Sequence, residues 1–404
     1  MSERIEQVRE IVAAQRMEHI RYAIRDLAVL AEQLARDGKE ILALNIGDPL
    51  AFDFQVPPHL IEAVAKAMRD GRNGYGPSLG VEEALDSIRA SAERKGIRNI
   101  QSAFITAGVS EAVDIALTAL VNPGENVLTP CPEYPLYSAV LAKLSAQPNT
   151  YVLDEESSWE PDLKYLESRI FTGTRAIVLI NPNNPTGAVY SRQTLERIAE
   201  LARQNNLVIL ADEIYDELVL EGDPHVSIAA IAPDVPVITF GGLSKGYLVP
   251  GWRLGWAVVS GDGAALRNYI EGMHQLLRAR LCANYAIQYA VRPALEGPQD
   301  HLPEMVAKLR SRRDLTAAWA NATPHVSCVP PRGAFYAFPR LEIPESDEDF
   351  VKKLLLEKQV LVVNGSGFGQ APGTRHFRLV FLPDEVTLRH AYGAISEFMR
   401  EHYA

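Results

Sequence analysis

Cysteine is scarce in this chain of 404 residues: Cys131, Cys282 and Cys328 stand far apart and form no CxxC pair. An odd and sparse count excludes a disulfide framework and suits buried thiols in a reducing cytoplasm. Long apolar runs are missing too. None reaches the roughly 20 residues that a membrane-spanning helix needs. The opening MSERIEQVREIV mixes charged with apolar residues instead of forming a signal-peptide core. A cytoplasmic protein without a membrane partner is therefore expected. Basic charge is outweighed, with 40 Lys and Arg against 51 Asp and Glu. The basic residues do not cluster, so no nucleic-acid partner is expected. Nine histidines form no HExxH and no pair at ligand spacing with cysteine, so no metal site is expected.

What is present has globular texture. The length exceeds one minimal core and predicts a large and a small domain. Residues 20–36 carry Ile24, Leu27, Leu30, Ala31 and Leu34 at helical spacing, and ILALNI (41–46) ends at the turn signal Gly47-Asp48-Pro49. Short apolar runs follow at 102–106, 126–130, 174–181, 207–213, 236–241 and 254–260, with helical patterns such as 110–121 and 191–206 between them. Continuous Val/Ile/Leu strands alternating with amphipathic helices predict an α/β fold with a mainly parallel sheet covered on both faces. From about residue 300 the texture changes to a long charged helix (about 303–321) followed by short mixed segments. The expected division is 1–50 as a segment joining the small domain, 51–295 as the large domain and 296–404 as a smaller α+β domain.

Two glycine-rich motifs invite chemistry. Gly365-Ser366-Gly367-Phe368-Gly369 lacks GxGxxG spacing and reads as a plain turn. Gly242-Leu243-Ser244-Lys245-Gly246 satisfies the GxSxG of a serine hydrolase, but an elbow needs a helix directly after it. YLVPGWRLG, with Pro250 and Gly251, opens none. The segment reads better around Lys245, which sits between a strand end and a Pro-Gly turn with Arg253 eight residues on. A lysine amine can condense with an aldehyde when it is desolvated or has a cationic neighbour. Alone it reads as a surface lysine; three further segments change that. Asn181-Pro182-Asn183-Asn184-Pro185-Thr186-Gly187 builds a rigid turn at a strand's C-terminal end, where either proline can be cis. LVILADEIYDEL puts Asp212 and Glu213 at another strand end, with Tyr215 close behind. ITAGVSEA is a strand, Gly108, then a helix opening on Val109-Ser110-Glu111, a ready anion site. These are the parts needed to hold pyridoxal 5'-phosphate.

The motifs NIGDP, GYGPSLG, TAGVSEA, PCPEYPLY, NPNNPTG, ADEIYDEL, SKGYLVPGWRLG, PRGAFYAFP and HFRLV stand in family order and spacing. With them the chain resembles the fold-type I, class I/II aminotransferases along almost its whole length. YIEG with ARLCAN (269–284) and NPNNPTGAVYS is similar to the alanine-synthesising, glutamate–pyruvate branch. The resemblance implies a homodimeric transaminase that uses pyridoxal phosphate to move an amino group between a small L-amino acid and a 2-oxo acid. It implies that Lys245 carries the cofactor and then shuttles the Cα proton, and that Asp212 pairs with the pyridine nitrogen. Tyr215 and Asn184 would bond the phenolic oxygen, and Tyr134 would stack on the ring. Val109, Ser110, Glu111, Ser244 and Arg253 would hold the phosphate, with Tyr75 reaching across from the neighbouring subunit. Arg378 would fork the substrate α-carboxylate near the Gly47 N–H.

Several positions depart from the family's pattern. Gly242 stands where aspartate-specific relatives carry Ser, Val109 where small residues are common, and Asn364 where Pro is frequent. Alternation in HFRLVF sets His376, Arg378 and Val380 on one face and leaves open whether that face meets solvent. No clear counterpart exists of the arginine that relatives use for a dicarboxylate side chain. Arg25 is one candidate, and a solvated helix residue is its other reading. Within the same fold, a carbon–sulfur β-lyase would share nearly all cofactor contacts.

Overall fold

The computed structural model describes residues 11–19 and 23–403; at residues 19 and 23–26 it describes the backbone alone. An eight-stranded sheet forms the centre, in the order Ile100–Thr106, Gly255–Ser260, Val237–Gly242, Val208–Asp212, Thr174–Ile180, Asn126–Cys131, Gln147–Asp154 and Glu160–Pro161. The five strands from Val237–Gly242 to Gln147–Asp154 run parallel to one another. Asn126–Cys131 and Val208–Asp212 are buried at every position, as expected for strands covered on both faces. One cover is the helix Val109–Leu120, which buries Val113, Ile115, Leu117 and Leu120. Each such side chain contributes about 1.5–3 kcal/mol. The helix Arg192–Asn205 starts at Ser191, whose Oγ accepts the Thr194 N–H at 3.2 Å. A cap of this kind is worth about 1 kcal/mol.

Register brings three strand ends level. Asp212 pairs with Ile180 on one side and with Phe240 on the other. The segments that follow, carrying Asn184, Tyr215 and Lys245, therefore leave the sheet at one rim. The strand Gly255–Ser260 is antiparallel to both neighbours, with Gly255 opposite Thr106 and Gly242. It begins where they end, so Arg253 reaches the same rim from the opposite chain direction. No α-helix opens after Ser244: a turn leads to the 3-10 segment Pro250–Trp252. The GxSxG match thus lacks its elbow.

A second region is built from short pieces. The helix predicted over about 303–321 spans His301–Ala322, and its Trp319 stacks on Tyr392 with centroids 4.1 Å apart. Tyr336–Ala337 and Val363–Asn364 flank Phe377–Val380 in a three-stranded antiparallel sheet. The run 41–46 forms only the two-residue strand Leu42–Ala43, parallel to Val360–Leu361. It is cut short by the turn at Asp48, whose carboxylate accepts the Leu50 N–H at 3.0 Å. The helix expected over 20–36 runs Ala23–Arg36 and seats Leu27, Leu30 and Leu34 on Leu355 and Leu361. Gly365–Phe368 is a single 3-10 turn. No helix of the described residues is long and apolar enough to cross a membrane.

Candidate active site

The rim and the second region enclose a cleft of about 300 Å³. Lys245, Asp212, Tyr215, Asn184, Tyr134, Val109, Ser110, Ser244, Arg253, Gly47 and Arg378 all line it. Lys245 Nζ donates to the Gly47 carbonyl at 2.8 Å and lies 5.4 Å from the Phe335 ring centroid. The carbonyl and the aromatic faces hold this amine in one place, and its charge is felt by the Asp212 carboxylate across the cleft. Gly47 has to be glycine, because a Cβ there would strike the Tyr336 hydroxyl and come within 2.8 Å of the Phe335 ring.

Asp212 is 4% exposed at the end of its strand. Burial pushes its carboxyl up to about 6, opposed by the Tyr137 hydroxyl, which donates to Oδ2 at 3.0 Å, and by the Ile214 N–H. A buried carboxylate held mainly by neutral donors is matched by a cationic ring N–H, which both neutralises and bonds it. Tyr137 was not singled out in the sequence. Its signal was present in PEYPLY, where it lies three positions after Tyr134, in the first turn of the helix Leu136–Lys143.

Tyr215 and Tyr336 share a hydroxyl–hydroxyl bond of 2.9 Å with their rings edge to face. Tyr336, in PRGAFYAFP, lines the cleft and was likewise not singled out in the sequence. Arg378 donates from Nη1 to Asn184 Oδ1 at 3.2 Å and from Nη2 to the Asn45 carbonyl. Its guanidinium lies 4.7 Å from the centroids of both Tyr336 and Phe368. Only 2% exposed, it faces the cleft and not solvent, which closes the choice that alternation left open. The Glu133 N–H donates to the Phe368 carbonyl at 2.8 Å, tying the turn that presents Tyr134 to the ring beneath Arg378. Asn181–Pro182 and Asn184–Pro185 are both cis.

The anion end lies at Gly108, where φ is +83°. A Cβ there would come within 2.5 Å of Arg253 Nη2, and one on Gly255 within 2.5 Å of the Val109 nitrogen. Both glycines let the guanidinium and the helix opening share one cradle. Two expected members lie elsewhere. The Glu111 side chain turns away to the Ala107 N–H at 2.6 Å and to Arg280, and Glu111 does not line the cleft. Tyr75, expected to reach the neighbouring subunit's phosphate and not this one, does not line it either and is 83% exposed. The Arg25 side chain lies outside the described residues. No group of three or more potential metal ligands occurs among the described residues.

A model of the family "Aminotransferase class I and II" matches residues 39–395. The chain is 40% identical over 402 residues to the glutamate–pyruvate aminotransferase AlaA of Escherichia coli (strain K12), covering 96% of this chain and 97% of the relative. It is also 40% identical over 383 residues to an alanine aminotransferase of Mycobacterium bovis, covering 91% of this chain and 88% of that one. The solved alanine aminotransferase of Pyrococcus furiosus superposes with a TM-score of 0.93 at 40% identity, covering 97% of this chain and all of that one.

Proposed function

We propose, for a chain that belongs to the class I and II aminotransferases, that it exchanges an amino group between alanine and 2-oxoglutarate on pyridoxal 5'-phosphate. The observation that carries this is one cleft lined by the Lys245 amine, the buried Asp212 carboxylate and the Arg378 guanidinium. The donor set suits the cofactor. An amine for its aldehyde, a buried carboxylate for its ring nitrogen and a glycine-backed arginine at a helix opening for its phosphate line the same space. Bound there, pyridoxal phosphate supplies an electron sink for the pair left at Cα when its proton departs.

The protein's own groups do the rest. Lys245 is the amine that holds the cofactor and, once freed, takes and returns the Cα proton. Asp212, kept from water, favours a protonated ring nitrogen. Tyr137 fixes the Asp212 carboxylate, and Tyr215, braced by Tyr336, offers its hydroxyl to the phenolic oxygen. Arg378 receives the substrate carboxylate as a two-point fork, already aimed by Asn45 and Asn184. Ser110, Ser244 and Arg253 take the phosphate.

Alanine is supported by the names of the relatives and by the lining. The lining cations are Lys245, Arg253 and Arg378 among the described residues, and its apolar part includes Ala28, Ile46 and Leu136. Arg25, on the same helix as Ala28, stays the sequence's candidate for the distal carboxylate of glutamate, beside its reading as a solvated helix residue. One methylene in an apolar pocket discriminates by only about 1–3 kcal/mol, so 2-aminobutyrate should react more weakly than alanine but measurably. A half-reaction scan over the amino acids, following the cofactor's visible absorbance, tests this. Alanine and glutamate should convert the cofactor, with pyruvate and 2-oxoglutarate reversing it. Inert alanine beside fast aspartate or tyrosine would remove the alanine assignment, and pyruvate with ammonia from cystathionine would favour the lyase. The exposed Tyr75 suits a homodimer in which it completes the partner's phosphate cup, and sedimentation of an active monomer would refute that.

A further inference from the structure

We infer that Arg280 and Glu111 form a charge pair behind the helix opening that sets the site's affinity for the cofactor phosphate without touching it. This rests on the reading that the cleft takes pyridoxal phosphate. Neither side chain lines the cleft. Arg280 follows the helix Gly263–Ala279, and its guanidinium joins three segments. Nη1 donates to Glu111 Oε2 at 3.0 Å, while Nη2 donates to the carbonyls of Ser78 at 3.1 Å and Ile105 at 3.0 Å. Glu111 Oε2 also accepts the Ala107 N–H at 2.6 Å. The fork thus fixes the strand end before Gly108, the first turn of the helix Val109–Leu120 and the loop just after Tyr75.

Charge makes this more than a brace. A helix opening attracts an anion through its free N–H groups. Glu111 stands in the first turn, beside Val109 and Ser110, and its own negative charge opposes a second anion at that end. The pair is shielded from water, with side-chain exposures of 16% for Arg280 and 25% for Glu111, so screening is weak. Arg280 cancels the opposing charge and leaves the pull of the helix opening and Arg253 intact. Both are positioning residues. Glu111 secures the turn at Ala107, and Arg280 makes that carboxylate compatible with a phosphate dianion nearby.

Cofactor-free protein titrated with pyridoxal phosphate and, separately, with pyridoxal, read by tryptophan fluorescence, separates charge from scaffolding. R280Q should weaken pyridoxal phosphate binding about 10- to 100-fold, as expected when one partner of a shielded charge pair is removed. Its affinity for pyridoxal, which lacks the phosphate, should change by no more than about twofold. E111Q/R280Q removes both charges and should return to within about threefold of the unmodified protein. E111Q alone keeps an acceptor for the Ala107 N–H and should bind pyridoxal phosphate as tightly or more tightly. Equal loss for both ligands in R280Q, a double variant no better than R280Q, or weaker phosphate binding in E111Q would overturn the inference. E111Q keeps the test decisive if R280Q does not fold. Unmodified protein that takes up neither ligand would instead defeat the cofactor reading, and the reference titration exposes that first.

Discussion

Lys245, Asp212 and Arg253 leave the ends of long neighbouring strands, whereas Gly47, Tyr336 and Arg378 rest on or beside strands of two to four residues. The first wall of the cleft is one continuous hydrogen-bonded sheet, with central strands buried on both faces, whose register puts Ile180, Asp212 and Phe240 level. The second is assembled from distant segments: Leu42–Ala43 on Val360–Leu361, the Leu44 carbonyl on the Val380 N–H, and the helix Ala23–Arg36 laid over Leu355 and Leu361. A sheet rim resists displacement because moving one strand breaks ladders on both sides. A wall of short ladders and one helix can shift without disturbing the sheet. On the proposed function, the sheet wall would carry the groups for cofactor binding and proton transfer, and the composite wall those that receive the substrate.

If the sheet wall holds the chemistry, its variants should cost turnover far more than the composite wall's do. Lys245→Ala should lower the half-reaction rate by about 10⁴-fold or more, since it removes both tether and proton carrier. Its circular dichroism should be unchanged. Asp212→Asn should slow the same step about 10²–10³-fold while cofactor still binds.

The same Asp212 substitution also gives a pH test on cofactor-free protein. The Asp212 carboxyl is raised to about 6 by burial, so the folded protein binds its proton more tightly than the unfolded chain does. Stability from this group is therefore present at low pH and is lost as pH rises from about 4 through about 6. Cofactor-free Asp212→Asn should accordingly be more stable than the unmodified protein at pH 8, by about 2–3 kcal/mol, with the gap closing toward pH 4. Denaturant melts at the two pH values measure it.

On the composite wall, Arg378→Lys should reduce kcat/KM for alanine about 10- to 100-fold through loss of the two-point fork, with cofactor affinity unchanged. Tyr137→Phe, back on the sheet side, removes one donor to Asp212 and should cost about 5- to 10-fold in the half-reaction rate. Leu30→Ala loosens the helix that brings Ala28 to the cleft and should raise KM about two- to fivefold at constant kcat. A fall in cofactor affinity with Leu30→Ala would break the division between the walls.

The two walls also differed in how far the sequence disclosed them. Strands such as AIVLI and LVILAD announce themselves as unbroken apolar runs, and the residues just after them fall at a predictable rim. Asp212, Lys245 and the Gly108 turn could therefore be placed from pattern alone. Arg378 could not, because alternation in HFRLVF fits either face and its partners Asn45 and Asn184 lie far off in sequence. Tyr336 escaped for the same reason: its bond to Tyr215 spans 121 positions. Glu111 was expected at the phosphate because it opens a helix, but helical spacing turns its side chain toward Arg280, whose position no local pattern reveals.

The central claim is that the sheet rim holds pyridoxal phosphate through Lys245. Borohydride reduction of the protein loaded with pyridoxal phosphate, followed by peptide mass spectrometry, tests it most directly. A single cofactor adduct on the peptide containing Lys245, absent when alanine is added before the reductant, is the predicted result. An adduct on another lysine, or none on protein that has taken up the cofactor, would contradict it.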